Sequence, residues 1–425
     1  MIMAYYRRYD SGGVNAEWEP LRLGEPQLRV EESVAVRKMA QPRRVWLLAL
    51  AFAFFPLQVM LCQQIPKAEK HYQLGLDLEK AGKYHEAAEE FSLAIQINPE
   101  FSEAYYHLGL SNFQDGDVVQ AIHALMQLMQ LEPNNNQTRL VLAQIYSGLG
   151  YSNDALALYI RAQQVAPEDP EIYFHIGLIH FEQKAYSQAT QALQQAIMLD
   201  PRMIKARKLL ASVYEAQNDL PNAYRQLREA AEAAPQDPDP PSDLGMLYLK
   251  EGKLAEAEKQ FLKALSLQKN FEPAHMGLAK TYHLMGRLPE SLEQLSALLR
   301  EAPQDPSALL ERGTVEEALG KKDDARADFE HFSRIAPDRA EGDLSLGVLD
   351  FEAGRYSSAI QHLSKAVALD AKQADAYYYL GQAYYHLGEA REAEEALRHC
   401  LLLDPAHKAA GQLLEQVLKV SPRSQ

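Results

Sequence analysis

Cysteine is almost missing. Cys62 and Cys400 are the only two in 425 residues, so neither a disulfide framework nor a cysteine-rich metal site can be assembled. Positive charge is in deficit as well. Lys plus Arg total 43 against 58 for Asp plus Glu, a formal net of −15, and that field repels a phosphate backbone, so nucleic acid is not expected as a partner. Repeated long apolar runs are lacking, which excludes a multi-pass membrane protein, while 47% hydrophobic residues with 24% charged ones exclude disorder for the bulk of the chain. No Gly-rich phosphate loop, HExxH pair, CxxC or nucleophile elbow occurs. The histidines, among them His107, His175, His180, His275 and His283, are scattered and form no cluster with ligand spacing. No catalytic residue, metal or cofactor is therefore expected.

One apolar run does stand out. Val45 to Phe55 reads VWLLALAFAFF directly after Arg43 and Arg44, the order of a signal peptide. Extending it to Leu61 reaches the length of a marginal transmembrane helix, weakened by Pro56 and Gln58. Residues 39–63 are thus expected to be a cleaved signal peptide or, alternatively, a single-span anchor, the only contact with a membrane. Cys62 as a lipidation site is a minor alternative, because Leu61 is too large for a good lipoprotein box. Residues 1–38 lack sustained periodicity and are expected to form a poorly ordered extension, with Met39 as the true start. The location that follows is the periplasm, the envelope or outside the cell.

Self-comparison at a shift of 34 residues aligns Ala68 to His407 without insertion or deletion, which gives ten units. A Gly or Ala holds the eighth place of each unit, as at Gly75, Gly109, Ala143 and Gly177. Small residues such as Ala87, Ala121 and Ala155 hold the twentieth place, and proline closes eight of the ten units. Apolar residues recur at intervals of three and four on either side of a mid-unit breaker, usually Gly, so each unit is expected to form two antiparallel helices. Lys184 and Asn218 stand at two breaker places, and Asn218 tolerates the left-handed conformation better. Cys400 falls at the twenty-seventh place, where other units carry Ala, and reads as a small core residue. The run Pro235 to Pro241, PQDPDPP, reads as proline accepted in the first turn of a helix rather than as a hinge. Residues 408–420 place Leu413, Leu414, Val417 and Leu418 on one face, as expected of a capping helix.

This pattern resembles the tetratricopeptide repeat (TPR) family, whose signature stands in the first unit as Leu74, Gly75, Gly82, Tyr84, Ala87, Phe91, Ala94 and Pro99. The resemblance covers residues 68–407. It implies an all-α fold, a right-handed superhelix in which the first helices line a concave groove, with groove side chains at places two, five, nine and twelve. Those places hold Tyr72, Leu76, Tyr106, Leu110, Phe113, Phe174, Leu178 and Phe181 in units one, two and four. They hold Leu344, Val348, Phe351, Tyr378 and Tyr385 in units nine and ten, whereas unit five offers Lys205, Lys208, Ser212 and Glu215.

Apolar and aromatic residues gathered on a concave face mark a binding surface, although packing between neighbouring first helices explains some of them. The expected function is a non-enzymatic scaffold for protein or peptide partners. A clamp for a terminal carboxylate, which in this family needs Lys, Asn and Arg, is not matched by Lys205, Lys208 and Lys280. An accessory subunit of a glycosyltransferase or polysaccharide export system is the alternative. Acidic residues at the second place, such as Glu69, Glu103 and Glu171, are explained by the positive end of the helix dipole.

Overall fold

The computed structural model describes residues 66–420; the expected extension 1–38 and the apolar segment 39–63, with Cys62, lie outside the described residues. The chain divides into two compact units, one ending at Leu199 and the other beginning at Asp200. Nothing in the 34-residue register announces that division.

The first unit runs α1 (66–80), α2 (Tyr84–Ile97), α3 (Ser102–Asp115), α4 (Val118–Leu131), α5 (Asn136–Gly148), α6 (Ser152–Val165), α7 (Pro170–Glu182) and α8 (Tyr186–Leu199). The second begins with α9 (Ile204–Ala216), α10 (Leu220–Ala233), α11 (Asp239–Lys250), α12 (Leu254–Leu267), α13 (Glu272–Leu284) and α14 (Leu288–Glu301). It continues with α15 (Pro306–Ala318), α16 (Lys322–Ile335), α17 (Ala340–Glu352), α18 (Tyr356–Leu369), α19 (Ala374–Leu387), α20 (Ala390–Leu403) and α21 (Lys408–Val420). No strand occurs among the described residues. Odd-numbered helices up to α19 are the first helix of a repeat and even-numbered ones the second, as the register requires. The helix after the tenth repeat is α21.

Local chemistry sets the boundaries. The turn ending a first helix needs a residue with positive φ, which Gly116 supplies at 94°, so that Asp117 N–H reaches back to Asn112 O at 2.8 Å. Lys184 and Asn218 adopt the same conformation at φ 58° and 60°, as their places in the register demand. Second and first helices start on carboxylate or amide caps where the sequence offers them: Asp117 accepts from Gln120 N–H at 3.1 Å and Asn135 from Thr138 N–H at 3.0 Å. Pro240 and Pro241 fall in the first turn of α11, where proline has no hydrogen bond to lose.

Packing explains the eighth place. In the seven repeats with glycine there, the side chain at place twenty-four of the second helix fills the space that the glycine leaves on the first. A methyl group added at Gly75 would meet the Phe91 ring at 2.6 Å, and one at Gly313 the Phe329 ring at the same distance. Phe91, Phe261 and Phe329 are fully buried.

A polar clasp joins the two helices of several repeats, between places four and twenty-three. His71 Nδ1 lies 2.6 Å from Glu90 Oε2, His275 Nδ1 2.8 Å from Gln294 Oε1, and His362 Nδ1 3.2 Å from Asp343 Oδ1. The place-four side chain also ties down the preceding turn. Arg139 donates to Pro133 O at 2.6 Å, Tyr173 to Pro167 O at 3.0 Å and Arg207 to Pro201 O at 3.1 Å, each six residues back.

Candidate functional site: the faces of the first helices

Consecutive first helices are stitched side by side at two recurring spacings. At 31 residues, place five meets place two of the next repeat: Gln137 Nε2 donates to Tyr106 Oη at 2.7 Å, and Lys208 Nζ donates to Asp239 Oδ2 at 2.8 Å. At 28 residues, place twelve meets place six: His107 Nδ1 sits 2.8 Å from Glu79 Oε2, and His283 Nδ1 sits 3.0 Å from Glu311 Oε1. These bonds bring the side chains at places two, five, nine and twelve of neighbouring first helices together on one face.

In the first unit, Tyr72, Leu76, Tyr106, Leu110, Phe113, Phe174, Leu178 and Phe181 are all half-buried. Tyr72 lies within an aromatic cluster, 4.8 Å from the Phe101 ring centroid and 5.8 Å from those of Phe91 and His107. Burial, reinforced by Glu103, Glu69 and Glu79, pushes its phenol above the ordinary tyrosine range. Tyr106 stands edge-on to His107 at 5.6 Å. Phe113 packs on the core formed by Leu125, Leu142 and Ile145, so it serves the interior as well as the face. Phe174 is edge-on to His175 at 5.3 Å, and Phe181 is 6.2 Å from Tyr186. The helix α5 stands between the α3 group and the α7 group, so these side chains form two clusters.

In the second unit the lysines and the aromatics are likewise separate. Lys205 is exposed, whereas Lys208 is half-buried between Asp239 at 2.8 Å and Asp243 at 3.0 Å. Burial works to lower the Lys208 pKa, but the two carboxylates outweigh it and raise the value. The sequence offered Lys208 as a groove cation; in the structure its charge is already matched from within the chain. Leu344 and Phe351 lie half-buried against the core of Leu363, Ala376 and Leu380. Around Phe351 stand Tyr356 and Tyr379 at 5.6 Å and His386 at 5.8 Å. Tyr378 rests on His407 at 4.6 Å and accepts from Gln382 at 3.0 Å, and Tyr385 lies 6.1 Å from His386. The Glu317 carboxyl is held above its usual range by burial and by Glu352. Tyr379 and His386 were not anticipated, because places six and thirteen fall beside the four that define the face; Glu317 stands at place twelve, on the face itself, and was passed over because the face was marked chiefly by apolar side chains.

No group of three or more His, Cys, Asp or Glu among the described residues is placed to hold a metal ion, and no described helix is long and apolar enough to cross a membrane. Cys400 is a free thiol packed against Ala393, Leu397, Ala410 and Val417.

Paired antiparallel helices repeated in a strict register, with one row of first-helix faces, define an α-solenoid of helical repeats. Family models described as "Tetratricopeptide repeat" match residues 72–136, 112–173, 180–241, 248–312 and 374–407, and one described as "TPR repeat" matches 347–388. The chain belongs to the tetratricopeptide repeat family and has that family's protein-interaction scaffold fold. It is 24% identical over 315 residues to the "Protein CTR9 homolog" of Arabidopsis thaliana, aligning 72% of this chain with 29% of that protein. It is 22% identical over 340 residues to the "BBSome complex member BBS4 homolog" of Drosophila melanogaster, 76% of this chain with 68% of that one. The chain thus spans under a third of the plant relative's length. Among solved structures, yeast Tom70 aligns over 84% of this chain and 96% of its own at 13% identity, with a TM-score of 0.46.

Proposed function

We propose that the protein is a non-catalytic scaffold that holds polypeptide segments against its first-helix faces by apolar and aromatic anchors. The first unit contributes Tyr72, Leu76, Tyr106, Phe174 and Phe181, and the second contributes Leu344, Phe351, Tyr378 and Tyr385. The carrying observation is that the apolar side chains at these recurring places stay only half-buried after the helices have packed. Each keeps area to bury against a partner, and rings at such places anchor interfaces. Glu352, next to Phe351, is already paired with Lys322 Nζ at 2.7 Å and adds no charge preference. Lys208, already engaged by Asp239 and Asp243, offers little to an acidic partner. Similarity to a protein named as a member of a complex accords with a binding role.

The test uses the polypeptides that copurify with the full chain from its source. Tyr106→Ala with Phe174→Ala weakens their binding at least about tenfold while the helical signal is kept. Lys205→Glu with Lys208→Glu acts mainly at low salt. Normal binding by the aromatic variant and none by the lysine variant would overturn the reading. Export or membrane anchoring directed by Arg43 to Leu61 is part of the proposal and rests on the sequence alone. Amino-terminal sequencing together with fractionation of the source cells checks it, and a soluble cytosolic chain beginning at Met1 contradicts it.

A further inference from the structure

The opposite side of the first unit carries a surface of a different kind. The second helices of repeats two, three and four, α4, α6 and α8, are 14 residues each and together contain two residues of fixed charge, Asp154 and Arg161. Places eighteen, twenty-two, twenty-five and twenty-nine are four, three and four residues apart, so on each helix they form one stripe, and all twelve are exposed. Val119 is 74% exposed, Met198 66%, Met126 45% and Ile160 42%. The other eight are Gln, Asn, Ser, Ala and His123. Leu131 and Val165 lie beside the stripes and are exposed too. In the second unit the same places hold Arg225, Arg228 and Glu232 on α10 and Asp323, Glu330 and Arg334 on α16.

Loss of charge with retention of Met and branched apolar residues is the composition of an interface core, not of a solvated face. The charge balance selects the occupant. An anionic lipid surface needs cations, and Arg161 is the one on these helices. A second copy of the chain brings a further −15, which opposes contact between acidic surfaces, whereas an uncharged face opposes itself with nothing. A two-fold contact sets a patch against its own copy, a condition an uncharged face meets directly. A 14-residue helix is about 21 Å long and about 10 Å across with its side chains, so the exposed faces of three present on the order of 600 Å². A standard interface buries about 800 Å² per partner, so the area suits a modest dimer.

We propose that the chain self-associates as a two-fold dimer through the exposed faces of α4, α6 and α8. This surface is separate from the first-helix faces, and its test is independent of theirs. Sedimentation velocity of the full chain between about 1 and 100 μM is expected to show the mass rising from 47.8 kDa towards twice that value. Met126→Glu with Ile160→Glu sets like charges across the contact and is expected to hold the chain monomeric with unchanged circular dichroism, as is Val119→Glu with Met198→Glu. Mixing the first variant with Met126→Lys plus Ile160→Lys is expected to restore a dimer. A wild-type chain monomeric throughout overturns the proposal. So does a dimer that survives both glutamate variants, as one formed through residues 45–61 would, or a mixture that stays monomeric.

Discussion

Phe261 is enclosed by two glycines from different repeats. Its ring lies 2.7 Å from where a methyl on Gly245 would sit, and closer still to one on Gly277. Gly277→Ala therefore overpacks a ring with nowhere to move and is expected to destabilise by about 1–3 kcal/mol in denaturant titration, with Phe261→Leu relieving part of the loss. Gly411, in α21, has nothing within 4 Å of the added methyl, and Gly411→Ala is expected to stabilise by up to about 1 kcal/mol. Glu316 shows a second residue-scale effect. It is buried beside the Arg312–Asp328 pair, and burial followed by the Asp328 charge pushes its carboxyl up to about 7. Because the folded state holds this proton more tightly, the group's contribution is complete below the unfolded value of 4.5 and is lost as pH rises through about 7. Glu316→Gln is expected to raise stability at pH 8 by up to about 3 kcal/mol, to change little at pH 4, and to flatten the pH profile of the melting temperature.

At the scale of the helix pair, Lys184 occupies a left-handed position that glycine holds in most other repeats, at φ 58°. Lys184→Gly is expected to stabilise the fourth repeat by about 1 kcal/mol, more than Asn218→Gly does in the fifth, read as a shift in thermal midpoint. These turns were legible from the sequence because one backbone conformation recurs at one place, whichever residue stands there. The polar clasp was not legible. His71 with Glu90, Arg207 with Gln226 and Asp343 with His362 reverse donor and acceptor from repeat to repeat, so no residue type survives alignment and only the 19-residue separation is constant. The candidate face was legible as a row of places but not in its pairings. Lys208 read as an available cation until Asp239 and Asp243 of the next first helix, α11, were seen to hold it, and Phe113 read as a surface anchor although it also lies on the core of Leu125 and Leu142.

At the scale of the whole molecule, α21 closes the second unit over a free thiol. Cys400 is fully buried, and burial, with Asp375 and Asp404 adding to it, pushes its thiol up to about 11. Val417 of α21 is part of the same cluster. Deleting residues 408–425 in a Cys62→Ser background is expected to turn Cys400 from unreactive to promptly titratable by a thiol reagent at pH 8, while most of the helical signal persists. A thiol equally reactive in both chains would show that α21 does not seal the unit.

The ties between helices have a mechanical consequence. The clasp, the turn bond and the two stitches close loops of 19, 6, 28 and 31 residues, so within each unit the repeats that carry them are fastened to their immediate neighbours. Pulled from its ends, a unit fastened this way yields as a soft spring, releasing one repeat at a time. Each release adds roughly 120 Å of slack, and contacts this local let it recoil quickly when tension falls.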